Sequence, residues 1–169
     1  MKTDFEMLAA DHSRDIYVYL WRMLSNTQDA EDCLQDTFLR AYKAYKRLDE
    51  QANTRAWLYK IATNVARTHL KKRGRNASRT SDLDPQLVGQ NANLDINLDN
   101  TLQLQQVNMA VQALPEKQRA ALMMRKYQEL SYPEIATALK TSEESARANV
   151  YQALKKLRKQ FAAQVQVTL

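Results

Sequence analysis

One cysteine, two glycines and three prolines in 169 residues remove most architectures before any motif is considered. So little glycine and proline leaves few places for the tight turns on which sheet proteins depend. Alanine, leucine, glutamine, lysine, arginine and glutamate are abundant instead, and all are strong helix formers. The expected fold is therefore all-α. Cys33 stands alone, which excludes an intramolecular disulfide and a cysteine-based metal cluster and fits a reducing compartment. Met1 to Ala10 carries Asp4 and Glu6 and has no apolar run. Nowhere do about 18 apolar residues follow one another, so no membrane insertion is expected and the chain reads as soluble and cytoplasmic. A phosphate-binding glycine loop and paired metal-ligand motifs are also missing. His12 and His69 fall on apolar helical faces, where a core role is expected rather than catalysis. The sequence thus offers no enzyme chemistry, no metal site and no cofactor. What it does offer is charge of one sign: the formal net charge is +6, which points to an anionic partner, nucleic acid above all.

Apolar residues at three- and four-residue steps place Phe5, Leu8, Ile16, Tyr19, Leu20 and Met23 on one face of a first helix that ends near Asn26. A second helix, capped by Asn26 or Thr27, turns Ala30, Cys33, Leu34, Thr37, Phe38, Ala41, Tyr45 and Leu48 inward. Its first turns carry Asp29, Glu31 and Asp32, where the helix dipole favours negative charge. Residues 49–53 read as a loop, and a third helix, capped by Asn53 or Thr54, runs through Trp57, Leu58, Ile61, Ala62, Val65, Ala66 and His69. After Leu70 a basic run, Lys71, Lys72, Arg73 and Arg75, gives way to a polar stretch with Gly74, Pro85 and Gly89 and too few apolar groups for a core. The expected organisation is a first helical domain over 1–74, a flexible linker over 75–99 and a second small helical domain over 100–169.

That second domain ends in a helix-turn-helix. Pro115 suits the first turn of a helix, and Ser131 with Glu134 forms a capping box with Pro133 in the opening turn of the next. Lys140 and Thr141 make the turn, and either Thr141 with Glu144 or Ser142 alone starts the last helix. Ala146, Val150, Ala153, Leu154 and Leu157 face inward there. Outward stand Ser145, Arg147, Ala148, Asn149, Tyr151 and Gln152, then Lys155, Lys156, Arg158 and Lys159. Arginine can fork onto guanine and asparagine or glutamine onto adenine, while lysines reach phosphates, so this is a credible surface for reading duplex DNA. A solvated basic helix is the plainer alternative for the same residues.

Two blocks in order resemble one family. Residues 29–38, Asp-Ala-Glu-Asp-Cys-Leu-Gln-Asp-Thr-Phe, followed by 57–64, Trp-Leu-Tyr-Lys-Ile-Ala-Thr-Asn, closely resemble the second conserved region of bacterial sigma factors. The stretch from Leu114-Pro115 through Ser131-Tyr132-Pro133-Glu134-Ile135-Ala136 to Leu157-Arg158 is similar to their fourth region. Without a recognisable third domain between them, the chain resembles the extracytoplasmic-function (ECF) type.

The resemblance implies a promoter-specificity subunit of RNA polymerase. It implies that the acidic, aromatic second helix docks on the coiled coil of the largest catalytic subunit through Asp32, Gln35, Asp36, Phe38 and Arg40. It implies that the third helix opens the minus-10 element, with a flipped base captured near Asn64. Arg67, Lys71, Lys72 and Arg73 would then follow the single strand, with Trp57 or Tyr59 supporting it, although Trp57 serves equally well as a core residue. The last helix would read the minus-35 element through Ser145, Arg147, Ala148, Asn149, Tyr151, Gln152 and Lys155, with Arg125 on the backbone. At the start of that helix the family carries a Gly-Thr-Val and a basic-serine-basic group where this chain has Glu144-Ser145-Ala146 and Arg147-Ala148-Asn149, which predicts a different promoter sequence. Further implied partners are the polymerase flap and an anti-sigma factor, and the linker is implied to thread the polymerase cleft. A stand-alone helix-turn-helix regulator would leave the block from Asp29 to Asn64 unexplained. A sigma-like interaction mimic would have no need of the basic residues from Arg67 to Arg75 and from Arg147 to Lys159.

Overall fold

A computed structural model describes residues 2–79 and 98–165. They form seven α-helices: α1 (Phe5–Leu24), α2 (Thr27–Tyr45), α3 (Thr54–Arg79), α4 (Leu98–Ala113), α5 (Glu116–Lys126), α6 (Tyr132–Leu139) and α7 (Glu143–Val165). The all-α expectation holds, and the part of the expected linker between residues 80 and 97 lies outside the described residues.

Local chemistry explains where the first three helices start and stop. Ser25 takes a left-handed turn, φ 51°, and returns its N–H to the Trp21 carbonyl, ending α1. Asn26 then caps α2 by accepting the Asp29 N–H at 2.8 Å. The Lys2 ammonium donates to the Tyr45 and Leu48 carbonyls, both at 2.5 Å, and so closes the C-terminal end of α2, where a cation is favoured. Asn53 caps α3 through the Ala56 N–H at 3.0 Å. The three helices pack on one another around Ile16, Tyr19, Leu20, Met23, Leu24 and Leu58, all fully enclosed. Ala30, Ala41, Ala62 and Ala66 are small enough to let the helix axes approach. Two side-chain hydroxyls meet inside, the Tyr19 hydroxyl and Thr63 Oγ1 at 2.8 Å, and burial pushes the Tyr19 phenol well above its ordinary range. Burial, then the nearby Asp29, Asp36 and Asp32, pushes the Cys33 thiol up to about 11, so it stays an unreactive core group.

The third helix outlasts its sequence pattern. The expected domain ends at residue 74, yet α3 continues through Gly74 to Arg79. A mid-helix glycine costs only about 1 kcal/mol relative to alanine, too little to stop a helix that has Lys71, Lys72 and Arg73 before the glycine and Arg75, Ala77 and Arg79 after it, all good helix formers. Nothing lies within 4 Å of a Cβ built on Gly74, and its φ is not positive. Gly74→Ala is therefore expected to raise stability by about 0.5–1 kcal/mol in denaturant titration. A loss would mean that Gly74 is kept for a bend.

The second unit is built on α5, whose run Ala120 to Met124 is buried without a break between α6 and α7. The capping box at α6 forms as the sequence requires: Ser131 Oγ accepts the Glu134 N–H at 3.3 Å and Glu134 Oε1 accepts the Ser131 N–H at 3.1 Å. Lys140 takes the left-handed conformation, φ 53°, and Thr141 N–H reaches the Ala136 carbonyl at 2.9 Å, which makes the sharp turn. Of the two possible caps on the last helix, Ser142 is used; its Oγ accepts the Ser145 N–H at 3.1 Å. By contrast, among its described side chains α4 buries Ala110 and Val111 and leaves Leu102, Leu104, Val107 and Met109 exposed.

The two units also touch. Helix α3 lies against α6, and α1 against α5. The apolar cluster is continuous across the seam, and polar bonds flank it: Arg55 Nη2 donates to the Gln128 carbonyl at 2.7 Å, Tyr59 hydroxyl to Gln128 Oε1 at 2.9 Å, and Gln112 Nε2 to the Arg22 carbonyl at 2.7 Å. Arg55 also faces Glu134 at 3.6 Å, and Arg67 pairs with Glu116. The Arg22 guanidinium lies 3.8 Å from the centre of the Tyr127 ring.

Candidate nucleic-acid and polymerase interfaces

Three surfaces carry the residues singled out in the sequence. On α3, Lys71 and Lys72 are exposed at the C-terminal end, and Asn64 is half-buried one turn before Thr68. Arg67 reaches across the seam to Glu116 instead of standing in solvent. Arg73 is also engaged. It donates to the Leu24 carbonyl at 3.0 Å and pairs with Asp29 at 3.1 Å, tying the ends of α1 and α2 to α3. His69 joins the same carboxylate, Nε2 to Asp29 Oδ1 at 3.1 Å, so it is a partly exposed partner of Asp29 and not the core residue its apolar neighbours predict. Trp57 is half-buried and packed against the core, with its ring 6.2 Å from Tyr45. Tyr59 is buried, 2% exposed, edge-on to Tyr19, and spends its hydroxyl on Gln128; in this arrangement it has no surface to offer a base.

On α7 the outward set is arranged as its spacing requires, with Arg147, Ala148, Tyr151, Gln152 and Lys155 exposed and Ser145 and Asn149 half-buried. Asn149 turns its amide back on its own helix, donating to the Ser145 carbonyl at 3.0 Å. Arg147 faces Glu143 one turn earlier at 3.7 Å. Arg125, at the end of α5, donates to the Leu130 carbonyl at 3.2 Å.

On α2, Asp32, Gln35 and Arg40 are exposed. Asp36 pairs with Arg40 at 3.0 Å, and Asp32 accepts from Gln28 at 3.0 Å. Phe38 is half-buried, its ring edge-on to Phe5 at 6.5 Å. Sequence periodicity did not single out Leu39 and Tyr42, which are 59% and 63% exposed beside these carboxylates and give the face apolar contact area. A shallow hollow between α2 and α3 joins the two surfaces, lined among others by Asp32, Asp36, Arg40, His69 and Lys72.

Sequence reasoning also missed the residues of the seam. Arg55, Glu116 and Gln128 find partners 49 or more positions away, and no local pattern signals such pairs. Glu134 does two jobs. Burial alone would raise its carboxyl, but the Ser131 N–H and side chain, Arg55 and the Asn53 side chain hold it below the ordinary carboxylate range. Its stabilising contribution is thus present at neutral pH and lost as pH falls through that range. Among the described residues no cluster of histidine, cysteine and carboxylate side chains could hold a metal, and no helix is long and apolar enough to cross a membrane.

Residues 8–76 match the Sigma-70 region 2 family, and residues 104–157 match Sigma-70, region 4. The chain is 30% identical over 160 residues to the RNA polymerase sigma-H factor of Pseudomonas aeruginosa, spanning 90% of this chain and 83% of that protein. It is also 30% identical over 165 residues to the ECF RNA polymerase sigma factor SigX of Bacillus subtilis, spanning 94% of this chain and 84% of SigX. In three dimensions it resembles the sigma factor RpoE of Bartonella quintana, solved in complex with the anti-sigma factor NepR. There the TM-score is 0.72 at 23% identity, over 92% of this chain and 95% of the other.

Proposed function

The chain belongs to the sigma-70 family of RNA polymerase sigma factors, in its ECF group, and from that premise we propose how its surfaces divide the work. As a sigma factor it is a non-catalytic subunit that binds core polymerase and directs promoter recognition, melting and initiation. The observation that carries the division is that one acidic face and two basic faces stand on three different helices, α2, α3 and α7.

Asp32, Gln35, Asp36 and Arg40 on α2 dock on the coiled coil of the largest catalytic subunit, with Phe38 bracing the helix from behind. Asn64 holds a base of the minus-10 element, and Lys71 and Lys72 track the phosphates of the strand. Arg67 joins them once Glu116 is withdrawn, and Trp57 supports the strand from its half-exposed edge. Tyr59 and Arg73 hold the helix in place. Ser145, Arg147, Ala148, Asn149, Tyr151, Gln152 and Lys155 meet the major groove of the minus-35 element, and Arg125 meets its backbone. The functional units are 1–74 and 100–169, with 75–99 between them and α3 running a short way past the first boundary. The exposed apolar residues of α4 suit the polymerase flap or an anti-sigma factor, such as the NepR that accompanies RpoE. The site of action is the cytoplasm, where polymerase and DNA are.

Transcription by purified core polymerase with and without the protein tests this division. New start sites sharing elements near minus-10 and minus-35 are expected. Asn64→Ala is expected to reduce open complexes about tenfold or more, because a captured base is worth about 1–3 kcal/mol. Core binding without initiation would favour an interaction mimic. Duplex binding without core binding would favour a stand-alone regulator.

A further inference from the structure

Tyr132 opens α6 directly after the capping serine, and two arginines from other helices converge on its ring. The Arg125 guanidinium carbon, at the end of α5, lies 4.3 Å from the ring centre. The Arg147 guanidinium carbon, on the first turns of α7, lies 4.9 Å from the same centre. Both distances are within cation–π range. Such a contact consumes no N–H donor, so the arginine keeps its planar fork for DNA while losing freedom of direction.

Among the described residues Arg147 has one other restraint, Glu143 at 3.7 Å, and both members of that pair are about half exposed, 55% and 50%. An exposed pair four residues apart on a helix is too weak to hold a long side chain in one rotamer by itself. The ring supplies the second restraint, and it comes from a different helix. Tyr132 therefore couples the direction of the reading arginine to α6 and, through Arg125, to the end of α5.

We propose that Tyr132 is a positioning residue for minus-35 readout, its ring aiming Arg147 at a base edge and Arg125 at the flanking backbone. The proposal rests on the reading of α7 as the minus-35 helix. Bidentate recognition by arginine depends on geometry, so losing the ring should flatten base preference more than it weakens binding.

The test compares holoenzymes assembled with wild type, Tyr132→Phe, Tyr132→Leu, Tyr132→Met, Arg147→Ala and the Leu/Ala double variant. Each is bound to promoter fragments in which the minus-35 bases are varied one at a time. Tyr132→Phe should keep the wild-type base preference. Tyr132→Leu should lose about fivefold discrimination at the base that Arg147→Ala also affects, and the double variant should lose no more than Arg147→Ala alone. Preference within the minus-10 element and core affinity should stay unchanged. Tyr132→Met, which fills the space without an aromatic face, stands in if the leucine variant melts early, and should show the same loss. Wild-type discrimination in both the leucine and methionine variants, or weakening that is uniform across all minus-35 sequences, would overturn the role of Tyr132 alone. A wild-type holoenzyme indifferent to minus-35 sequence would overturn the reading of α7 beneath it.

Discussion

Tying the two halves together across the α3–α6 seam is expected to cut promoter-dependent transcription on the order of 100-fold. The minus-10 and minus-35 elements lie about 25 base pairs apart by their names, which is about 85 Å of duplex at 3.4 Å per base pair. A chain in which Arg67 pairs with Glu116 and Arg55 with the Gln128 carbonyl holds α3 and the helix-turn-helix side by side. On the proposed division of surfaces, reaching both elements requires the seam to open, and the polar pairs in it suit opening. It carries long polar side chains, as separable domain interfaces do, alongside the apolar contact that joins both units in one cluster. Arg22 Nε and Arg119 Nε, both buried, find no hydrogen-bond partner among the described residues. Burial accordingly lowers the Arg119 guanidinium from its ordinary range.

The variant Arg55→Cys/Gln128→Cys, joined by a reducible thiol crosslinker, makes the test, because Cys33 is buried and its thiol is raised to about 11. Initiation should fall on the order of 100-fold, equivalent to about 2.8 kcal/mol, and return when reductant cleaves the link. Undiminished initiation by the tied chain would show that the two elements are engaged without separation of the halves.

The second large effect belongs to α2. Asp32→Lys with Asp36→Lys reverses the charge of the proposed docking face while touching no core residue, since both side chains stand at the surface. The Asp36–Arg40 pair that is lost is an exposed pair four residues apart on a helix, worth about 0.3–0.5 kcal/mol, so thermal stability should shift little. Affinity for core polymerase should fall about 100-fold or more, because like charge across an interface costs several kcal/mol. Fluorescence anisotropy of a labelled chain titrated with core polymerase measures it. Unchanged affinity would make the carboxylates an ordinary solvated helix start, favoured by the dipole, and would move the docking contact to Leu39 and Tyr42 or elsewhere.

What the sequence revealed and what it concealed follow from the range of each interaction. Caps were legible because Asn26, Asn53, Ser131 and Ser142 act within three residues of themselves. The inner stripe of α2 was legible because burial repeats with the helical period, as at Ala30, Cys33, Thr37 and Ala41. The length of α3 was not, because a glycine and a loss of apolar pattern mark the end of a packed face and not the end of hydrogen bonding; α3 runs on to Arg79. The basic residues of α3 are assigned to DNA by the family resemblance and by their charge. That cannot distinguish Lys71 and Lys72, which are exposed, from Arg73, which is bonded to Asp29 and Leu24. Tyr59 is assigned to the strand for a related reason, since an aromatic beside a basic run can serve a base; a partner 69 residues away, invisible to local pattern, holds it buried here.

The most direct test of the central claim, one chain carrying two separate promoter readers, is initiation measured against spacer length. Templates would carry the minus-10 and minus-35 elements returned by start-site mapping, with the interval between them lengthened and shortened one base pair at a time. Each base pair moves one element by about 3.4 Å and about a tenth of a helical turn relative to the other. A sharp optimum, with activity falling steeply within two or three base pairs on either side, is the predicted result. Equal activity at every spacing would contradict the account, since it would mean that only one of the two surfaces reads the promoter.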